Sequence, residues 1–222
     1  PQGLGKVFPR LNNLIIEDSI LKYIERICFA SMPRLWRLSL KSNDIEMIPG
    51  DAFLDIPKVV ILILASNKLS SLDPLLFSRM PLLERLDIGN NQISELDPRA
   101  FASLYSLDLL DIGDNNLKEL PSDIFANTTN LMKFYAENLQ LTTLSAGIFQ
   151  NTQKMAILEF DTSKGVDFKD IQVDFTKMKN LRGLFLRCQD LAESISFYPE
   201  GPNFDIELEK LQAKINVSCR KT

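Results

Sequence analysis

Apolar residues return along this chain at a fixed interval of 24. Leu11, Leu35, Val59, Leu83, Leu107, Leu131 and Met155 occupy one column at that spacing. Leu14, Leu38, Leu62, Leu86, Leu110, Phe134 and Leu158 follow three positions later, and Ile16, Leu40, Leu64, Ile88, Ile112, Ala136 and Phe160 two beyond those. The alternation of the last two columns predicts a short strand that turns both residues to one side. A single such unit cannot bury that side alone, so neighbouring units must stack their strands into one continuous core. A polar column, Asn43, Asn67, Asn91 and Asn115, runs through the same pattern. Buried amides need partners for their donors and acceptor, which predicts bonds to the backbone of adjacent turns. Phe29, Phe53, Phe77, Phe101, Phe125 and Phe149 form the last column and predict a stacked aromatic spine on the far side of the core.

Written out, the unit is L-x-x-L-x-L-x-x-N-x-L-x-x-L-x-x-x-x-F, a leucine-rich repeat. Ile48-Pro49-Gly50-Asp51-Ala52-Phe53 and Leu120-Pro121-Ser122-Asp123-Ile124-Phe125 resemble the 24-residue class of extracellular leucine-rich-repeat proteins. That class includes Toll-type receptor ectodomains and secreted immune proteins of invertebrates, and the resemblance covers roughly residues 5–160. It implies an α/β solenoid, a curved horseshoe of about eight repeats with a parallel sheet on its concave side. It also implies a non-catalytic role outside the cell, recognising another protein in innate immunity or cell-surface signalling. Spacing alone gives only a binding solenoid.

Residues 1–10 read as the end of a preceding repeat or a minimal amino-terminal cap, and residues 11–196 as the repeats. Ser19 replaces the first Asn. In the row from Leu131, Leu139 fills the Asn column and Asn138 lies one position early. In the row from Met155, Ser163 and Gly165 replace Asn and a leucine, and the next row, from Leu181, starts two residues late. Residues 197–222 read as a carboxy-terminal capping segment or the start of a further irregular repeat. Within them, Phe197 to Pro202 suggests a turn, Asp205 caps a short helix, and Ile215 to Cys219 alternates like a strand.

The net charge of −4 disfavours general nucleic-acid binding, which needs a basic surface. The longest apolar run, Val59 to Ala65, is far shorter than the roughly 18 residues of a membrane span. No histidine is present, which removes histidine-based nucleophilic sites and most zinc sites. No phosphate-binding glycine motif appears either, so catalytic, metal and cofactor sites are not expected. Asp87, Asp111 and Glu159 share one column, but an open sheet is expected to desolvate them little, leaving a solvated acidic stripe. Sequons at Asn127 and Asn216 fit an extracellular setting. Cys188 and Cys219 fall seven places into their rows, and equal positions on adjacent strands lie about 5 Å apart, which predicts a disulfide. Cys28 falls in a column of small apolar residues and is expected to be buried.

The strand positions between the core leucines face the concave surface. The binding residues expected there are Ile15, Arg37, Ile61, Ile63, Arg85, Asp87, Asp111, Lys133, Tyr135 and Glu159. Ile61 and Ile63 would form an apolar patch, followed by charges of both signs and an aromatic, a combination used in protein recognition. A protein partner is expected: a ligand, a co-receptor or a second copy. Two alternatives stay open. One is a homodimeric adhesion or structural protein using Ile61 and Ile63; the other is an intracellular scaffold with unused sequons and free thiols.

Overall fold

The computed structural model describes residues 4–26, 28–162, 173–188 and 194–197. A short helix, α1 (Leu4–Val7), precedes nine strands that follow one another in sequence order within a single sheet. The strands are β1 (Asn13–Ile15), β2 (Arg37–Ser39), β3 (Ile61–Ile63), β4 (Arg85–Asp87), β5 (Leu109–Asp111), β6 (Lys133–Ala136), β7 (Ile157–Thr162), β8 (Gly183–Cys188) and β9 (Ser194–Phe197). The first eight run parallel, one per repeat, giving the expected solenoid of stacked turns. Its register keeps the 24-residue columns: Leu38 pairs with Leu62, Leu62 with Leu86, and Leu86 with Leu110.

Each column does the work its chemistry dictates. Leu35, Leu38, Leu40 and Ile45 are wholly buried, as are their counterparts in the next three turns. Phe77, Phe101, Phe125 and Phe149 stack with ring centroids 6.4, 6.5 and 5.7 Å apart. Between the sheet and this spine the asparagines form a ladder. Asn67 Nδ2 donates to the Leu40 and Leu64 carbonyls, each at 2.9 Å, and its Oδ1 accepts from the Ile45 amide at 3.1 Å. Every ladder residue thus clamps the turn before its own. Cys28 is buried as a free thiol and accepts from the Glu25 amide through its sulfur.

A column invisible as a hydrophobic pattern stands beside the ladder. Asp18, Ser42, Ser66, Asn90, Asp114 and Asn138 recur at the same interval, and each takes a positive φ between 49° and 58°. This left-handed step turns the chain off the strand, and short polar side chains tolerate it best. Asn138 is therefore not an early ladder residue; it holds the left-handed position. The ladder site is Leu139, buried and unable to clamp the turn before it. One turn later Thr162 occupies the left-handed column, where a β-branched residue is poorly accommodated. The chain stays extended, and β7 grows to six residues.

The last row departs from the sequence reading. Residues 194–197 run back antiparallel against β8, pairing Leu184 with Phe197 and Leu186 with Ile195, and do not pass around the convex side. Residues 163–172, the turn and helix expected over 198–215, and the strand expected at 215–219 lie outside the described residues.

Candidate recognition face

Two columns of alternating strand positions face away from the core and form the concave surface. One pairs Arg37, Ile61, Arg85, Leu109, Lys133 and Ile157 in register; the other pairs Ser39, Ile63, Asp87, Asp111, Tyr135 and Glu159. Ile15 begins the second column on the edge strand and is 49% exposed. The expected residues are thus brought onto one sheet face, but their accessibility differs. Arg85 is exposed, whereas Arg37, Ile61, Asp87, Asp111, Lys133, Tyr135 and Glu159 are half-buried. Ile63 is only 9% exposed, so the apolar patch narrows to Ile61 with Val60 beside it. Ser39 is wholly buried and donates its hydroxyl to Glu17.

The residues beyond the strands complete the face, and their role was not read from the sequence. Ala65, Gly89 and Gly113 share one column and are buried at its floor. Gly89 and Gly113 sit where any side chain would meet the carboxylates. A Cβ at 89 would lie 3.2 Å from Asp111 Oδ1, and one at 113 would lie 3.3 Å from the same atom. Their amides donate to those acids, Gly89 to Asp87 Oδ1 at 3.2 Å and Gly113 to Asp111 Oδ1 at 2.9 Å. The repeated Asp-Ile-Gly at 87–89 and 111–113 was the available signal. Trp36, 41% exposed, lies at the rim one position before Arg37.

These contacts do not leave the two acids in water-like surroundings. Burial pushes the Asp87 carboxyl above the usual aspartate range, against the Gly89 amide, Arg85 and Lys41, which lower it. Burial raises Asp111 too, opposed by the Gly113 amide and reinforced by the charges of Asp87, Asp114 and Glu137. The expectation of little desolvation is therefore corrected: neighbouring strands and side chains shield both carboxylates although the sheet is open. Tyr135 beside them is raised, first by burial and then by Glu159 and Asp111. Together these groups make an acidic, partly dry centre with apolar Ile61, Leu109 and Ile157 in the adjacent column. Among the described residues no group of three or more metal-ligating side chains comes together.

Asn127 lies exposed on the convex side, where its Nδ2 donates to the Ala102 carbonyl at 2.8 Å. A glycan on that nitrogen would leave one N–H for the same bond. Asn216 and Cys219 lie outside the described residues, and Cys188 is described only as the backbone end of β8.

Comparison with known proteins agrees with this architecture. The family model for the leucine-rich repeat matches residues 9–69 and 57–117. No curated protein sequence matches the chain. Among solved structures, the Toll–Spatzle complex of Drosophila, in its glycosylated form, is similar at 26% identity and a TM-score of 0.68, over 85% of this chain. The complex of TLR13 with ssRNA13 is similar at 22% identity and a TM-score of 0.69, over 79% of this chain. A complex of Latrophilin 3, Unc5D and the FLRT2 leucine-rich repeats gives 22% and 0.63. The chain spans 29% of the TLR13 chain and 26% of the Toll-complex chain.

Proposed function

We propose that this chain, a member of the leucine-rich-repeat family with the architecture of Toll-type ectodomains, is an extracellular recognition module that binds a protein through its concave face. The observation that carries the reading is the centre of that face. Asp87 and Asp111 are held half-buried beside Tyr135 at a cost in desolvation. A fold selected only for stability gains nothing from such charges, and functional surfaces commonly retain them. A partner with a mixed basic and apolar surface would meet the carboxylates along one column and the alternating Ile61, Arg85, Leu109, Lys133 and Ile157 along the next. The Toll neighbour, solved with Spatzle, supports a protein as the ligand class. The resemblance to Toll-type ectodomains supports a role in innate immunity or cell-surface signalling as part of this reading.

The test is a binding screen of the purified chain against an array of secreted proteins and receptor ectodomains. A partner whose affinity falls at least tenfold on Asp111→Lys with Tyr135→Ser, yet is unchanged by the convex-side variant Gln150→Ala, supports the reading. Partners that bind both variants equally would overturn it. Location is tested separately, by intact mass of natively produced protein with thiol labelling. Glycan at Asn127 or Asn216, with one labelled thiol after unfolding, fits an extracellular protein with a Cys188–Cys219 bridge. Three free thiols and no glycan favour an intracellular scaffold.

A further inference from the structure

Outside the concave face, the two lateral flanks of the solenoid differ in charge. On leaving each strand the chain passes along one flank, and on returning to the next strand it passes along the other. The leaving flank carries a groove of about 600 Å³ that crosses three turns. Its apolar lining includes Met47, Leu72, Pro74 and Pro98, and Met47 is 65% exposed. Asp73 and Glu95 border it and Glu46 adjoins it, all three exposed and without an ion pair among the described residues. Two basic residues at the groove are neutralised, Lys68 holding Asp44 at 2.7 Å and Arg99 holding Asp97 at 3.0 Å, while Lys22 and Lys118, in the column of Glu46, stand exposed on turns beyond it.

The returning flank is the reverse. Arg10, Arg34 and Lys58 occupy one column on three successive turns, exposed and without an ion pair among the described residues. Arg79 is exposed nearby, and Asp55 and Glu84 are exposed acids among them. Trp36, 41% exposed, stands beside the basic column, and Leu82, 49% exposed, continues it on the next turn.

From these two flanks we infer that the chain associates side by side with further copies of itself, the basic flank of one molecule entering the acidic groove of the next. Charge complementarity is the first argument, since it steers and orients such contacts. The pitch of the repeat is the second. Each set carries one charge on each of three successive turns, about 5 Å apart, the bases in one column and the acids staggered across the groove, so a second solenoid of the same pitch sets a basic residue against each acidic turn. Apolar area on both sides, Met47, Pro74 and Pro98 against Trp36 and Leu82, supplies the burial that ion pairs at a rim do not. The two flanks lie on opposite sides of one molecule and cannot satisfy each other within it. The contact is therefore heterologous and builds rows, leaving every concave face open on the same side.

Sedimentation of the 222-residue chain over a range of concentrations and salt tests this. The average mass should rise with concentration, and the association should weaken about tenfold on moving from low to high salt, as screened charge contacts do. Arg34→Glu with Lys58→Glu should sediment as a monomer, and so should Glu46→Lys with Glu95→Lys; mixing the two should restore association. These residues are exposed, and circular dichroism verifies that each variant is folded. A single-chain mass at every concentration overturns the proposal, as does association that survives in both variants. Asp111→Lys with Tyr135→Ser leaves both flanks intact and should associate normally, which separates this result from the concave-face reading.

Discussion

Replacing Asn91 by leucine isolates what one rung of the ladder contributes. The buried side chain makes four bonds: Nδ2 donates to the Leu64, Ile88 and Gly89 carbonyls, and Oδ1 accepts from the Leu69 amide. The losses are unequal. The Leu64 carbonyl keeps Asn67 as a donor, Ile88 keeps Asn115, and Gly89 keeps the Ser66 amide. The Leu69 N–H loses its acceptor. Stripping one buried backbone donor costs about 1–3 kcal/mol, and three weakened carbonyls add about 1 kcal/mol. The sum, about 2–4 kcal/mol, is a large part of a total that runs about 5–15 kcal/mol for ordinary domains. Urea unfolding followed by circular dichroism measures the loss. Amide exchange locates it: Leu69 should lose protection far more than the core amides two turns away. Asn116→Ala, on an exposed side chain with a 3.5 Å contact, is the control and should change stability by less than about 0.5 kcal/mol. A cost for Asn91→Leu as small as that of the control would refute the accounting.

Asp111→Asn should raise the melting temperature at neutral pH. The folded-state pKa of Asp111 lies above its unfolded value, so its stabilising contribution is complete below the unfolded pKa and lost as pH rises through the folded one. The advantage of the variant should therefore shrink as pH is lowered toward about 4; a constant difference across the titration would contradict the cause assigned. Phe101→Ala, which removes a wholly buried ring from the middle of the spine, should cost about 3–5 kcal/mol in urea titration. Ile63→Ser should destabilise by about 2–4 kcal/mol, because the side chain is 9% exposed. Ile61→Ser, at a half-buried position on the same strand, should cost clearly less; equal losses would mean that the two positions are alike.

The repeat was legible because it is written in residue types that physics forces. Leucine columns, the asparagine ladder and the phenylalanine spine each need one chemistry at one place, and they reappear at constant spacing. The left-handed column escaped notice because Asp, Ser and Asn all satisfy it, so no single letter recurs. That ambiguity made Asn138 look like a displaced rung. The site was legible only as an orientation. Alternation places Ile63 and Asp111 on the concave side, but it does not say how closely neighbours cover them. Coverage depends on side chains 24 residues away in both directions. Gly89 and Gly113 matter to that environment through what they leave out. The antiparallel strand at 194–197 depends on β8 offering an edge, which no local pattern announces.

The absence of a rung at Leu139 has a mechanical consequence. Through Asn115 each turn is tied to the one before by a side-chain clamp near the strand ends, and beyond β6 the strands lengthen from four to six residues. The joint between β5 and β6 lacks the buried rung; near its strand ends Asn138, exposed, donates Nδ2 to Asp114 Oδ1 at 2.9 Å. The joint is also held from the opposite side, where Phe134 meets Phe125 edge-on at 5.1 Å and Phe125 stacks on Phe149. A joint held by its rings and by an exposed side-chain bond, with no buried rung, is expected to yield before its neighbours. Flexing of the arc is therefore expected there more than within its first five turns, and it would change the distance between Asp87 and Glu159. A partner gripping both would be held by two stiff jaws able to adjust their gape.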